Sequence, residues 1–455
     1  MERNHDTIAA ISTALGESGI GIIRISGEQA VSIADRVLDR SIKGAATHTI
    51  HYRHVVGKGE IIDEVLVSVM LAPRSYTGEN TVEINCHGGA LAVQRVLEEV
   101  LNAGAFLAEP GEFSKRAYLN GRMDLSQAEA VMDVIQAKNR FALKAAMQQL
   151  QGNLSRKVEV FRDRILNELA RIEAALDDPE HYDLEDYPTQ LHETLEMLCK
   201  ELTELIENAD SGRVMKEGIS TVILGRPNAG KSSLMNLLLG EDRAIVTEIA
   251  GTTRDILTEH IRLAGLSLNL TDTAGIRAGM DPVEKIGIER ARNAAKDANL
   301  ILLLIDSSKE LEEDDLELLR EMEHQCAIVL LNKSDLDQKV KVEDLKNKTT
   351  HPIVVCSTKS GEGLEALEQE IKRLFYQKKI DFNDQIYVTN LRHRDALVRA
   401  RNALRMAEES IEKGMTEDFF IIDLKSAYEA LGFITGDTVE DDIVNRIFEQ
   451  FCTGK

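Results

Sequence analysis

Eight residues, Gly225-Arg226-Pro227-Asn228-Ala229-Gly230-Lys231-Ser232, constrain the fold of this chain more than any others. They match G-x-x-x-x-G-K-[ST], follow an apolar run at 219–224 and lead into a helix-like stretch from Ser233 to Leu239. A strand, a glycine-rich turn and a helix in that order make a P-loop. The glycines let backbone N–H groups close around phosphates, and the new helix points its positive end at them. Lys231 then reaches the β- and γ-phosphates, and Ser232 is placed to ligate Mg²⁺. A chance glycine-rich turn would not bring the strand and the helix with it.

Three further segments select the nucleotide. Asp272-Thr273-Ala274-Gly275 follows the strand-like run 266–271. Asp272 suits a carboxylate behind Mg²⁺, and the Gly275 N–H suits a γ-phosphate contact. Asn332-Lys333-Ser334-Asp335 follows the apolar run 327–331, and Asp335 can accept from the N1–H and 2-amino groups of guanine, a pair adenine lacks. Ser357-Thr358-Lys359 follows 353–356 and can present an N–H to the guanine O6. Four such segments, each after a strand, specify GTP; an ATP-binding P-loop protein has no use for Asp335.

Composition bounds the partners. The 455 residues suffice for roughly two to four domains. Lys and Arg number 54 against 77 Asp and Glu, a formal net charge of −23. That balance disfavours non-specific nucleic-acid binding, so any RNA contact is local or supplied by a partner. Trp is absent and aromatics are 4%, which argues against a base-stacking surface. Cys86, Cys199, Cys326, Cys356 and Cys452 are scattered without a C-x-x-C, as expected in a reducing cytoplasm and not of a structural zinc site. The polar opening Met1-Glu2-Arg3-Asn4-His5-Asp6 does not read as a signal peptide, and no run is long enough to span a bilayer.

The texture changes along the chain. Residues 1–118 read as α+β, with strands expected at 20–25 and 81–86, a helix at 90–101, and loops at Pro73 and Pro110. Between Pro110 and Pro179 there is no proline; Asp124-Leu125-Ser126-Gln127 resembles a capping box, and apolar spacings of three and four predict long helices to 175. An acidic break at 177–186 reads as a solvated loop, followed by a helix to about 208. Residues 216–378 alternate apolar strands with amphipathic helices, and 385–451 read as helices again. The fold class expected is multidomain α/β: an N-terminal α+β domain, an all-α helical domain, and an inserted doubly wound P-loop G domain.

Small GTPases place a Gln just after the D-x-x-G glycine to orient the attacking water. Here Ile276 stands there and cannot polarise water. Two readings stand on the residues alone. One is a slow binding switch. The other is a catalytic group from elsewhere, such as a monovalent cation held by the Asn228 side-chain carbonyl and the backbone of 247–253.

The segments G-R-P-N-A-G-K-S-S-L, I-V-T-E-I-A-G-T-T-R-D, D-T-A-G-I-R and V-E-K-I-G-I-E-R resemble one group of bacterial and organellar GTPases. Outside them, G-I-I-R-I-S-G, T-V-E-I-N-C-H-G-G, P-G-E-F-S-K-R-A-Y-L-N-G-R-M-D-L-S-Q-A-E-A and F-C-T-G-K narrow the resemblance to the MnmE (TrmE) family of tRNA uridine-modification GTPases, over all 455 residues. The resemblance implies a folate-binding, dimerising domain at 1–118, a helical domain at 119–215 and 379–455, and a G domain at 216–378. It implies a homodimer whose G domains meet, with potassium stimulating hydrolysis. An FAD-dependent MnmG-type partner, using NADH, would complete a heterotetramer that installs a carboxymethylaminomethyl-type group at C5 of the tRNA wobble uridine.

Site residues follow from the same resemblance. GTP contacts would come from Asn228, Ala229, Gly230, Lys231, Ser232 and Ser233, and from Thr247, Glu248, Ile249, Ala250, Gly251, Thr252 and Thr253. Asp272, Thr273, Ala274 and Gly275, then Asn332, Lys333 and Asp335, then Ser357, Thr358 and Lys359 complete the set. K⁺ would be held by Asn228, Thr247, Ile249 and Thr252, and Mg²⁺ by Ser232 and Thr253. Glu284 would orient the water through a second water, in place of the missing Gln. A reduced folate (5-formyl- or methylene-tetrahydrofolate) would meet Arg24, Glu83, Arg122 and Lys455. Cys452 lies in the tail, where Thr453 replaces the family's usual aliphatic residue.

Bland readings compete at several of these. A lone charge in a strand, such as Arg24 or Glu83, usually faces solvent; His87 reads as structural; and a cysteine such as Cys452 is more often packing than nucleophile. Two other functions also compete. A ribosome-assembly or RNA-chaperone GTPase would use the flanks for binding, yet no basic module is legible in them. A folate-dependent one-carbon enzyme would use GTP as a regulator.

Overall fold

The computed structural model describes residues 6–177, 187–240, 258–263, 266–271, 293–296, 298–376, 386–452 and 454. The protein is a multidomain α/β chain that divides into two compact units: residues 1–136, 146–204 and 391–455 form one, and residues 137–145 and 205–390 the other.

The first unit contains a six-stranded sheet of β1 (Ile8–Ile11), β2 (Ser18–Ser26), β3 (Thr49–Gly57), β4 (Glu60–Met70), β5 (Thr81–Gly88) and β6 (Phe106–Leu107), in the order β3-β4-β5-β2-β1-β6. Strand alternation sorts its residues by face. Ile23 and Ile25 of β2, Val65, Val67 and Val69 of β4, and Val82 and Ile84 of β5 form one core with Ile33, Val93, Val96 and Val100 of the helices Ala30–Arg36 and Ala90–Asn102. The intervening residues face the other way, and the β2–β5 register sets Arg24 directly opposite Glu83.

The expected capping box forms: the Gln127 N–H donates to Asp124 Oδ1 at 2.9 Å, and the Asp124 N–H to Gln127 Oε1 at 3.0 Å. It opens the helix Leu125–Gln136, followed by Arg140–Leu150, Asn153–Asp177 and Tyr187–Glu217. In Asn153–Asp177, Leu154, Val158, Phe161, Ile165, Leu169 and Ile172 are buried at spacings of three and four. The next helix runs past the expected end near 208 and stops at Gly218, whose φ of 93° a residue with a Cβ adopts at a cost.

The second unit is a doubly wound sheet of β7 (Ile219–Gly225), β8 (Thr258–Leu263), β9 (Leu266–Thr271), β10 (Leu300–Asp306), β11 (Ala327–Asn332) and β12 (Ile353–Val355), in the order β12-β11-β10-β7-β9-β8. All pairs are parallel except β8–β9. The runs Leu300-Ile301-Leu302-Leu303-Leu304 and Ile328-Val329-Leu330-Leu331 are fully buried, because a parallel sheet is covered on both faces. After β7 the chain builds one side of the sheet and then returns to build the other, so the switch point lies between β7 and β10. Ligands of such folds bind beyond the strand carboxyl ends at that point.

The helices Leu391–Glu412, Glu417–Thr435 and Asp441–Phe448 rejoin the first unit. A buried ion cluster clasps them: Arg392 Nε and Nη2 lie 3.0 and 2.8 Å from the two oxygens of Glu129, and His393 Nε2 lies 2.7 Å from Glu129 Oε2. Glu129 is thus held well down, at about 2: burial pushes its carboxyl up, but His393 and Arg392 outweigh that. Among the described residues no helix is long and apolar enough to cross a membrane.

Candidate functional site

The P-loop is where the sequence puts it, between β7 and the helix Lys231–Leu238. Two of its glycines are required by close approach. A Cβ on Gly225 (φ 145°) would run into the Leu304 carbonyl of β10, and one on Gly230 (φ 107°) into the Asn332 side chain. Lys231 Nζ donates to the Gly225 and Arg226 carbonyls at 2.6 and 2.9 Å, so the ammonium sits within the turn. Asn228 is exposed with φ 63°; Ser232 and Ser233 are exposed in the first helical turn. Arg226 anchors the turn from outside, 2.5 Å from Glu312 and 3.4 Å from Asp315 at the start of the helix Glu313–Glu321.

Asn332 couples this turn to the base-recognition loops. Its Nδ2 donates to the Ala229 carbonyl at 2.8 Å and to Thr358 Oγ1 at 3.1 Å, and its Oδ1 accepts from the Thr358 N–H at 3.0 Å. The side chain is fully buried, so each of these bonds replaces one to water that it cannot make. Ser357 Oγ donates to Asp335 Oδ1 at 2.7 Å. That bond, helped by Lys359 and Lys333, holds the exposed Asp335 carboxyl below its ordinary range and keeps it an acceptor. Lys359 is exposed. Lys333 pairs with Asp306 at 2.6 Å, a partner that sequence reasoning did not single out. Its signal was an Asp closing the apolar run of β10, at a strand carboxyl end where ligands gather.

Several expected residues lie outside those described: Thr247, Glu248, Ile249, Ala250, Gly251, Thr252 and Thr253; Asp272, Thr273, Ala274, Gly275 and Ile276; Glu284; Thr453 and Lys455. Most of the acidic 177–186 segment does too.

In the first unit a second cluster forms on the sheet. Arg24 and Glu83 are not solvated charges: Arg24 Nε lies 2.9 Å from Glu83 Oε1, with the side chains 14% and 21% exposed. The guanidinium also sits 5.1 and 5.6 Å from the ring centres of Tyr76 and Phe113. Arg122 Nε donates to the Ser75 carbonyl at 3.2 Å, beside Tyr76. The tail docks here. The Gly454 carbonyl accepts from Ser12 Oγ at 3.1 Å and Arg24 Nη1 at 3.4 Å, and the Gly111 N–H donates to the Cys452 carbonyl at 3.4 Å. Phe451 is buried, yet Cys452 is exposed, against the packing expected of a cysteine. By contrast Cys86, Cys199 and Cys356 are buried, and burial pushes their thiols up to about 11, about 12 and about 11. His87 pairs with Asp63 at 2.6 Å with its ring largely exposed.

Comparison with known proteins adds identity to this geometry. Residues 7–122 match the family model described as the GTP-binding protein TrmE N-terminus, and residues 125–452 match the MnmE helical domain. Among curated proteins, the chain is similar to the tRNA modification GTPase MnmE of Lachnoclostridium phytofermentans, 54% identical over 455 residues, with 99% of each chain covered. It is similar to the protein of that name from Listeria welshimeri, 48% identical over 454 residues, again with 99% of each covered. The Bacillus subtilis protein of the same name is 46% identical over 458 residues, covering 99% of this chain and 100% of that one.

Proposed function

The chain belongs to the MnmE family of tRNA modification GTPases, and from that premise we propose a fuller account of its work. It hydrolyses GTP in the service of tRNA modification. Hydrolysis is stimulated by potassium and by G domains meeting across a homodimer. With an FAD-dependent MnmG-type partner, in the cytoplasm, the dimer installs a carboxymethylaminomethyl-type group at C5 of the tRNA wobble uridine.

On the nucleotide side, Lys231 and the P-loop N–H groups hold the phosphates, and Asp335 reads the guanine edge. Ser232, with Thr253, would hold Mg²⁺. Asn228, with Thr247, Ile249 and Thr252, would hold K⁺. These donors are neutral oxygens, and Asn228 is exposed on the phosphate turn, which fits a weakly hydrated monovalent ion. Both cations would offset charge developing on the phosphates. Glu284 would position the attacking water, since Ile276 cannot.

The observation that carries the modification half is the docked tail. It brings an exposed thiol, Cys452, within two residues of a carbonyl bound by Arg24, and Arg24 is bound to Glu83. The residue types fit a reduced folate: a carboxylate for the pterin N–H groups, cations at Arg24, Arg122 and Lys455 for the glutamate tail, and the partly exposed Tyr76 ring beside Arg24 as a flat surface. Calorimetry with 5-formyltetrahydrofolate checks this without any enzymatic assay; absence of heat with folded dimer removes the folate site. The ribosome-assembly or RNA-chaperone reading loses ground, because the family match covers the flanks it would reserve for binding alone. The deciding experiment is nucleoside analysis of tRNA from cells lacking this chain. Hypomodified wobble uridines are expected, and unaltered ones overturn the proposal.

A further inference from the structure

Asp306 has the geometry of a fixed anion. Its Oδ1 accepts from the Ser308 N–H at 3.1 Å and the Ser308 hydroxyl at 2.6 Å, and its Oδ2 lies 2.6 Å from Lys333 Nζ. The carboxylate is largely buried and the lysine half-buried. β10 and β11 pair Asp306 with Asn332 in register, so the carboxylate comes from the strand beside the base-recognition loop. Burial pushes its carboxyl up, but the bonds from Lys333 and Ser308 hold it below the ordinary range.

Lys333 occupies a left-handed backbone position, φ 66°, two residues before Asp335. Asp335 is exposed, and its bond from Ser357 occupies one oxygen. A lysine is a compact charge on a flexible stem, free to pair with either of two nearby carboxylates. Paired with Asp335, it would occupy the acceptors that guanine needs.

We propose that Asp306 is a specificity-determining positioning residue: it holds the Lys333 ammonium away from Asp335 and so keeps that carboxylate open to the N1–H and 2-amino groups of guanine. Asp306 touches no substrate and acts through Lys333. The inference rests on the assignment of Asp335 to the base.

The test is competition binding of GDP and IDP to the full chain; IDP keeps the N1–H and lacks the 2-amino group. The unaltered protein should prefer GDP. Asp306→Asn keeps the shape and removes the charge. It should weaken GDP more than IDP and cut the preference about tenfold, the scale of one hydrogen bond to a charged group. Asp306→Glu restores the anion and should restore most of the preference. With Lys333→Met the competitor is gone, and adding Asp306→Asn should leave the GDP:IDP ratio unmoved. Equal weakening of both nucleotides by Asp306→Asn, or the same change in ratio with and without Lys333, overturns the inference while leaving Asp335 in its role. No preference for GDP in the unaltered protein removes the role of Asp335 and this inference together.

Discussion

The cradle at the carboxyl ends of β7, β10 and β11 and the cluster around Arg24 handle charge by different means. In the cradle most of the work falls to main chain: N–H groups of a turn, tight glycines, and one buried amide that holds loops together. In the cluster it falls to side chains on regular strands, brought together by register and by a tail from the far end of the chain. The partners in the cradle's turn sit within eight residues, whereas Arg24 and Gly454 are 430 apart. A local device is stiff as soon as its strand and helix form. An assembled one depends on every long-range contact between its parts. The two should therefore fail separately.

The largest effect tests GTP hydrolysis alone. Glu284→Ala should lower kcat for GTP hydrolysis by roughly 10²–10⁴, the scale of a positioned acid–base group, with nucleotide affinity little changed. Single-turnover kinetics beside equilibrium binding separate the two, and near-normal turnover would return Glu284 to a surface carboxylate. Next comes the clasp of the assembled half. Glu129→Ala leaves Arg392 and His393 buried without their anion and should destabilise the first unit by about 3–5 kcal/mol, read by chemical denaturation. The pH dependence has a definite sign. The carboxyl is depressed from its ordinary 4.5 to about 2, so its contribution is complete above pH 4.5 and is lost as pH falls through about 2. A variant whose denaturation midpoint matches the parent at pH 6 would break the comparison.

Asp335→Asn should weaken GTP by about 10- to 100-fold, since it replaces a charged acceptor with an amide, and should shift preference to xanthosine triphosphate. Competition binding reads both, and equal binding of ATP and GTP by the parent would sink the assignment. Smallest in its effect on hydrolysis is Cys452→Ser, expected to leave GTP turnover unchanged and abolish tRNA modification in cells. Loss of both activities would mean that the tail serves folding. Loss of neither would make Cys452 dispensable.

The same difference explains what could be read from the sequence. The P-loop, the Asn332–Asp335 and Ser357–Lys359 segments and the Asp124 box announce themselves because each is a short run of fixed residue types, although the bonds of Asn332 reach Ala229 and Thr358, 103 and 26 residues away. The first sheet was only partly legible: β2 and β5 stood out, β3 and β4 did not. β3 exposes Ile50 and Tyr52 and turns His51 and Arg53 inward, which scrambles the alternation that marks a strand. The Glu129–Arg392 clasp joins residues 263 apart on two helices, and nothing in either helix points to the other. Asp306 is not legible because a single Asp closing an apolar run belongs to no motif, and only the pairing of adjacent strands brings it to Lys333.

The docked tail has a consequence for change over time. Phe451 is sunk among Leu125, Met132 and Phe448, and Gly454 is tied to Ser12 and Arg24. Only Cys452 and Thr453 separate these two moorings in the chain. Thr453 can change in kind, whereas Cys452 is held by the role proposed for its thiol. One inserted or deleted residue would put another residue where Gly454 meets Ser12 and Arg24. Evolution and the protein engineer alike would find this segment tolerant of a new residue at 453 and intolerant of a changed number of residues.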